Sequence, residues 1–272
     1  LDGKGRDARI HLAAPISIKE IEESFADMIV SIRRVFWDEK KSRVLAVQER
    51  KLGALLIEQQ RIETPAPEEI EAALLAVVKS KGLKVLPWNE ESKRLADRIN
   101  FVRYHGDGEG WPDLSNLALE NSVEDWLHPY LAGLSSLDDL QKLNLTEILM
   151  NMLNWDQRMQ LDGYAPPSMK VPSGSNIRLD YSDPESPVLA ARLQELFGLQ
   201  TVPKLCNGRV AVSIHLLSPA RRPVQITQDL ASFWQNTYTD VKKDLKGRYP
   251  KHYWPDDPLE AEATSRVKPR RN

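Results

Sequence analysis

The chain has 272 residues, 41% of them hydrophobic and 28% charged, a balance that suits a globular protein with a real core and about two domains. Its net charge of −2 excludes a global field drawing it onto nucleic acid or a membrane, so any such contact must come from local patches. A single cysteine, Cys206, excludes an internal disulfide framework and fits a reducing cytoplasm.

Residues 8–16 read as a strand. Ser17 and Glu20 have capping-box spacing, and Ile18, Ile21, Phe25 and Met28 then recur at helical spacing, which predicts a short helix over 18–28. Val30–Trp37, a polar turn over 38–42 and Arg43–Glu49 predict a β-hairpin, with an extended or bulged continuation after Gly53. Strand, helix and hairpin in this order suit part of a small barrel; a five-stranded barrel would need strands upstream of residue 1.

Pro67 suits a first helical turn, and Ile70, Ala73, Leu74, Val77 and Val78 form one apolar stripe ended by Gly82. Asn89 caps a second helix with Leu95, Ile99 and Val102 facing inward. The Gly-rich loop from His105 to Gly110 carries Asp107 and Glu109 but lacks the ligand spacing of a calcium loop. Helices are expected over 122–131, 137–143 and 146–161, with a break near Asn154-Trp155; Trp126, Tyr130, Leu149, Leu153 and Trp155 are core candidates.

Beyond Pro166-Pro167, strands are expected at 169–171 and 177–181 around a Pro172–Ser175 turn. A helix opened by Ser182-Asp183-Pro184 should carry Val188, Leu189, Leu193 and Leu196 to a stop at Gly198. Cys206, a small hydrophobe beside Asn207-Gly208, marks a tight turn, and 209–217 alternate as a strand. Thr227 is the expected cap of a long helix with Leu230, Trp234, Tyr238, Val241 and Leu245, closed by Gly247. The fold class is therefore α+β: a partial OB-like β-barrel piece (1–63), a mainly helical middle region (64–165), a C-terminal α+β domain (166–258) and a basic tail (259–272).

Catalytic motifs are missing. There is no phosphate-binding Gly-Lys loop, no Asp-Glu-x-His box, no Gly-x-Ser-x-Gly elbow and no metal spacing among His11, His105, His128, His215 and His252. No catalytic residue and no metal ligand is assigned. No apolar run approaches the ~20 residues of a membrane span. The opening Leu1-Asp-Gly-Lys-Gly-Arg lacks an initiator Met, so the chain is expected to be part of a longer protein.

Charge distribution carries the positive signal. Arg221, Arg222, Lys242, Lys243, Lys246, Arg248 and Lys251 face only Asp229, Asp240 and Asp244, a local balance of 7 − 3 = +4. Tyr249, His252, Tyr253 and Trp254 lie beside them; cations can hold phosphates while aromatic faces stack on unpaired bases. Arg33, Arg34 and Arg43 add positive charge to the hairpin. These cations and Tyr249 are the candidate contacts for RNA or single-stranded nucleic acid. A solvated helix face followed by a segment clamped down by Tyr and Trp would show the same residue types.

Several segments together resemble a known family: Leu1-Asp-Gly-Lys-Gly-Arg, Arg50-Lys-Leu-Gly-Ala-Leu, Leu86-Pro-Trp, Trp111-Pro-Asp-Leu, Glu124-Asp-Trp-Leu-His-Pro-Tyr-Leu-Ala-Gly, Val171-Pro-Ser-Gly-Ser, Leu193-Gln-Glu-Leu-Phe-Gly and the stretch Leu216–Trp254. The chain is similar to the C-terminal region of HrpB-type bacterial DEAH/RHA helicases. The resemblance implies a parent ATP-driven RNA helicase of the cytoplasm, with ATP and Mg held by its RecA-like motor domains and no cofactor in this region. It also implies that the first ~63 residues are the latter part of an OB-like barrel. Its own motor domains are then partners, and a protein-docking module or a structural scaffold for the motor are the alternatives to a nucleic-acid contact.

Overall fold

The computed structural model describes residues 13–62, 65–106 and 110–268. Two compact units share the chain: one takes residues up to Val85 together with His128–Lys142, the other Leu86–Leu127 and everything from Leu143 onward. Among the described residues no helix is long and apolar enough to cross a membrane.

In the first unit, Ser17 caps α1 (Ile18–Ser24) reciprocally. The Glu20 N–H donates to Ser17 Oγ at 3.2 Å, and the Ser17 N–H donates to Glu20 Oε2 at 2.8 Å. The helix stops four residues short of the expected end, and a 3-10 turn covers Ala26–Met28. Residues 13–16 are not in a strand; the remainder of the strand expected over 8–16 lies outside the described residues.

The hairpin forms as β1 (Ile29–Asp38) and β2 (Arg43–Leu52), with Val30 opposite Lys51 and Asp38 opposite Arg43. Asp38 Oδ1 accepts from the N–H groups of Lys40 and Lys41 at 2.9 and 3.1 Å, the local bond that makes Asp a turn former. Gly53, at φ +56°, reverses the chain again, so the extended segment after it folds back as β3 (Leu55–Arg61). Among the described residues these strands form an open three-stranded sheet and no closed barrel. Helix α2 (Pro67–Lys81) ends at Gly82, φ +78°, and buries Leu74, Leu75, Val77 and Val78 against β1 and β2.

In the second unit, α3 (Glu90–His105) starts where Asn89 Oδ1 accepts from the Ser92 N–H at 2.8 Å. Ile99, Phe101 and Val102 on it are wholly buried. Helices α4 (Asn116–Asn121) and α5 (Val123–Leu127) follow. The chain then returns to the first unit for α6 (Leu137–Leu140). Here Val44 N–H donates to the Ser135 carbonyl at 2.8 Å, stitching the loop before α6 to β2. Back in the second unit, the expected break separates α7 (Leu145–Asn151) from α8 (Trp155–Tyr164), which Asn154 caps. Trp155 is not a core residue: it is 72% exposed, because α8 turns Leu161 inward.

The C-terminal strands are β4 (Ser168–Lys170), β5 (Asn176–Asp180), β6 (Val188–Arg192), β7 (Lys204–Leu205), β8 (Val210–Ala211), β9 (Ser213–Leu217) and β10 (Pro223–Thr227). Five make one sheet in the order β10-β9-β6-β5-β4, with β6 parallel to β9 and every other pair antiparallel; β7 and β8 form a separate ribbon around the Cys206 turn. The helix expected after Pro184 is therefore overturned. Leu189 and Ala191 are buried alternately on a strand between β5 and β9, and only a 3-10 turn, Leu193–Glu195, follows. A short continuous apolar run is ambiguous between helix and buried strand, and here the sheet decides it.

The last helix comprises α9 (Leu230–Ser232), a π-helical segment Phe233–Thr237, and α10 (Tyr238–Arg248). Its cap is Asp229, whose Oδ1 accepts from the Ser232 N–H at 2.9 Å; Thr227 instead ends β10. The helix runs through Gly247 to Arg248. Phe197 packs its ring 6.1 Å from those of both Trp234 and Tyr238 and 6.2 Å from Tyr253. The segment beyond Trp254 lies back on the unit, with Thr264 N–H donating to the Gln194 carbonyl at 2.9 Å. The α+β class holds.

The α6 cap sets a pH-dependent term. Asp139 accepts from the N–H groups of Ser135 and Ser136, from Ser136 Oγ at 2.6 Å and from Lys142 Nζ at 3.0 Å. The Ser136 hydroxyl, Lys142 and the Ser135 amide together hold its pKa down from 3.8 to about 2. A carboxylate depressed in the folded state stabilises fully above its unfolded value and loses that contribution as pH falls through the folded one. Asp139→Asn should thus cost about 1 kcal/mol at neutral pH, as caps do. Urea titrations of both proteins should show the difference shrinking between pH 4 and pH 2. A difference constant with pH would rule the charge out.

Candidate nucleic-acid interface

Of the candidate basic and aromatic residues, Arg33, Arg34 and Arg43 belong to the first unit and the other eight to the second. Most are already engaged. Arg33 pairs with Glu69 at 2.5 Å. Arg34 reaches the buried Glu49 at 3.3 Å and lies over the Phe36 ring at 5.3 Å. Arg43 is exposed at the start of β2, where its backbone bridges to Ser136.

On α10, Lys243 pairs with Asp240 at 3.2 Å and Arg248 with Asp244 at 3.1 Å, both exposed neighbours on one helix face. Lys242 differs. Its side chain is only 15% exposed and its ammonium meets Asp256 at 2.5 Å, tying α10 to the returning segment. The Lys242 hydrogen bond, then its charge, holds the Asp256 carboxyl below its usual range, with a smaller contribution from Lys246.

Five of the candidate cations make no ion pair among the described residues: Arg43, Arg221, Arg222, Lys246 and Lys251, all exposed. Arg221 and Arg222 sit in the tight β9–β10 connection. There the Arg221 N–H donates to the Ser218 carbonyl at 2.8 Å, and Arg221 takes φ +59°. Such a conformation points the turn outward and is sustained by Ser218, whose Oγ also accepts from the Arg222 N–H at 3.1 Å.

The aromatic residues do not form an open stacking platform. Trp254 is buried and its Nε1–H donates to the Tyr249 carbonyl at 2.9 Å. Tyr253 packs on Phe197. Tyr249 is half-buried, edge-on to His252 with centroids 6.0 Å apart. Burial, then the Arg192 charge, lowers the His252 pKa and favours its neutral form. Tyr249, His252 and Tyr253 keep part of their surface open, whereas Trp254 is buried.

Sequence reasoning missed a cleft of about 340 Å³ between the charged face of α3 and β5. Lys93, Arg94, Asp97 and Arg98 face Arg178 and Asp180 across it. The signal was legible in principle, since charged residues at 90, 93, 94, 97 and 98 share one helical face. Among the described residues no group of three or more His, Cys, Asp or Glu side chains could hold a metal; Asp107 and Glu109 lie outside them. Cys206 is buried, and burial raises its thiol pKa, the opposite of what a nucleophile needs.

Residues 126–258 match the HrpB C-terminal family, described as ATP-dependent helicase C-terminal. The chain belongs to this family, as the C-terminal region of HrpB-type helicases. It is 37% identical over 262 residues to the ATP-dependent RNA helicase HrpB of Escherichia coli strain K12, covering 96% of this chain and 32% of that protein. The crystal structure of the E. coli DExH-box NTPase HrpB superposes with a TM-score of 0.72 at 37% identity, over 96% of this chain and 32% of that one. A second crystal structure, of the E. coli DEAH/RHA helicase HrpB, gives 0.62 at 35% identity, over 84% and 29%. The chain thus spans about a third of the length of the relatives it matches.

The Lys242–Asp256 pair is directly testable. Lys242→Met should raise the Asp256 pKa toward the ordinary carboxyl value, read by NMR titration of the carboxyl carbon. An unmoved titration would show that the pair does not persist in solution.

Proposed function

We propose that the chain is a non-catalytic accessory region of an ATP-dependent RNA helicase and contacts single-stranded RNA beside the motor. The observation that carries this reading is the set of exposed candidate cations in the second unit that make no ion pair among the described residues, Arg221, Arg222, Lys246 and Lys251. Lys242, Lys243 and Arg248 have spent much of their charge on Asp256, Asp240 and Asp244, so they serve the fold first. ATP and Mg belong to the parent's RecA-like motor domains, in a cytoplasmic setting. The three-stranded sheet of the first unit is the latter part of an OB-like barrel in the whole protein.

A specific observation favours a protein contact as a second reading. Ile18, Met28, Val30 and Leu55 of the first unit are large apolar side chains that are all more than half exposed, which suits docking against the motor domains.

The RNA contact predicts a salt signature. Each single-strand phosphate contact contributes roughly 0.7 to the slope of log affinity against log salt. Charge reversal at Arg221, Arg222, Lys246 and Lys251 together should flatten that slope by roughly 3 and weaken low-salt binding at least about tenfold. Fluorescence anisotropy with a labelled single-stranded RNA measures both. Unchanged affinity in the fourfold variant would remove the proposed contact and leave protein docking as the better reading.

A further inference from the structure

The cleft between α3 and β5 is independent of the basic residues discussed above, and its charges are arranged differently. Two of its cations, Lys93 and Arg178, are exposed at its rim and pair with no carboxylate among the described residues. Arg94 is held by Glu90 at 3.2 Å, and Arg98 by Asp162 and by the Ala165 carbonyl at 2.7 Å. Its carboxylates are also short of donors. Asp97 is half-buried and accepts no hydrogen bond among the described residues. Asp180 Oδ1 takes only the Ser182 N–H, at 2.9 Å. Burial, then the charge of Asp180, raises the Asp97 pKa, so the two carboxylates lie within each other's field and no cation neutralises Asp97.

A protein gains nothing for its own stability by leaving the half-buried Asp97 carboxylate without a donor in a cleft edged by unpaired cations. A simple cation would meet Lys93, Arg94, Arg98 and Arg178, and a simple anion would meet Asp97 and Asp180. A ligand carrying hydroxyl donors at one end and a phosphate at the other satisfies both sets. Carboxylates accept well from ribose hydroxyls, and paired cations suit a phosphate. The volume, about 340 Å³, lies within the range of small-ligand pockets.

We propose that this cleft binds a ribonucleotide with a free 2′,3′-diol, the hydroxyls donating to Asp97 and Asp180 and the phosphate resting between Lys93 and Arg178. That chemistry has two sources, a free ribonucleoside monophosphate or the 3′ end of an RNA strand. The reading stands whether or not the exposed cations of the β9–β10 turn and α10 bind RNA.

Calorimetric titration of the chain with AMP and with 3′-deoxyadenosine monophosphate tests the diol. AMP should bind saturably, and the deoxy analogue about tenfold more weakly. Asp97→Asn and Arg178→Glu should each weaken AMP binding by a similar factor while leaving the thermal unfolding profile unchanged; Arg178 is exposed, so its variant retains the fold. Anisotropy with an RNA oligomer ending in a diol, against the same oligomer ending in a 3′-phosphate, separates the sources. A diol preference abolished by Arg178→Glu assigns the site to RNA ends, and AMP binding without such a preference assigns it to free nucleotide. Absence of saturable AMP binding together with equal affinity for both RNA ends overturns the proposal, as does AMP binding that neither variant weakens.

Discussion

The second unit depends on the parallel pairing of β6 with β9. Leu189, Ala191, Ile214 and Leu216 are each at most 1% exposed, so this pair is the floor of the C-terminal core. A parallel pair cannot be joined by a hairpin and needs a long crossover. The residues between the two strands supply it, and much of the unit's character follows from that excursion. Leaving β6, the chain turns through Leu193–Glu195 and buries Gln194 and Glu195, polar groups that then need partners. Gln194 donates to the Tyr253 carbonyl at 2.8 Å, and Arg192 donates to Glu195 at 3.0 Å. The Gln194 bond, with a second from Arg192 to the Ser265 carbonyl at 2.8 Å, draws the segment beyond α10 back onto the unit. Phe197, carried by the same excursion, receives Trp234, Tyr238 and Tyr253.

That arrangement explains why the aromatic side chains near the basic residues are structural. Tyr238 donates to the Pro255 carbonyl at 2.9 Å and Trp234 to the Leu199 carbonyl at 2.8 Å. A buried aromatic with a polar tip wants both its area covered and its hydrogen bond made, and these residues have both. Charge is partitioned by the same geometry. Lys242 faces the returning segment and meets Asp256, whereas Lys246 and Lys251 face outward. What the fold leaves at this surface is exposed positive charge beside aromatic rings that are at most partly open.

Much of the fold was legible because local signals and tertiary context agreed. Ser17 with Glu20, Asn89, Asn154 and Gly82 stand where caps and breaks require them, whereas Gly53 turns the chain back where a continuing strand was expected. The hairpin of β1 and β2 was readable from its β-branched residues and from Asp38. Misreadings occurred where long-range pairing decided. Val188–Arg192 has a run compatible with a helix, and only its position between β5 and β9 makes it a strand. Trp155 has the composition of a core residue and the position of a helix start. Thr227 and Asp229 are both plausible caps, and the end of β10 selects the second. Of the candidate site, the sequence showed which side chains are basic and nothing of which are neutralised. The partners of Arg33, Arg34 and Lys242 are 36, 15 and 14 positions away. The α3–β5 cleft was invisible for the same reason, since Asp97 and Asp180 meet only in the folded chain.

Titration of the wild-type chain with single-stranded RNA at low and at physiological salt tests the central claim most directly. The account predicts saturable binding at low salt that weakens steeply as salt rises, since phosphate contacts release counterions. No binding at low salt, where exposed cations act most strongly, would contradict it and leave the chain with a docking or scaffolding role.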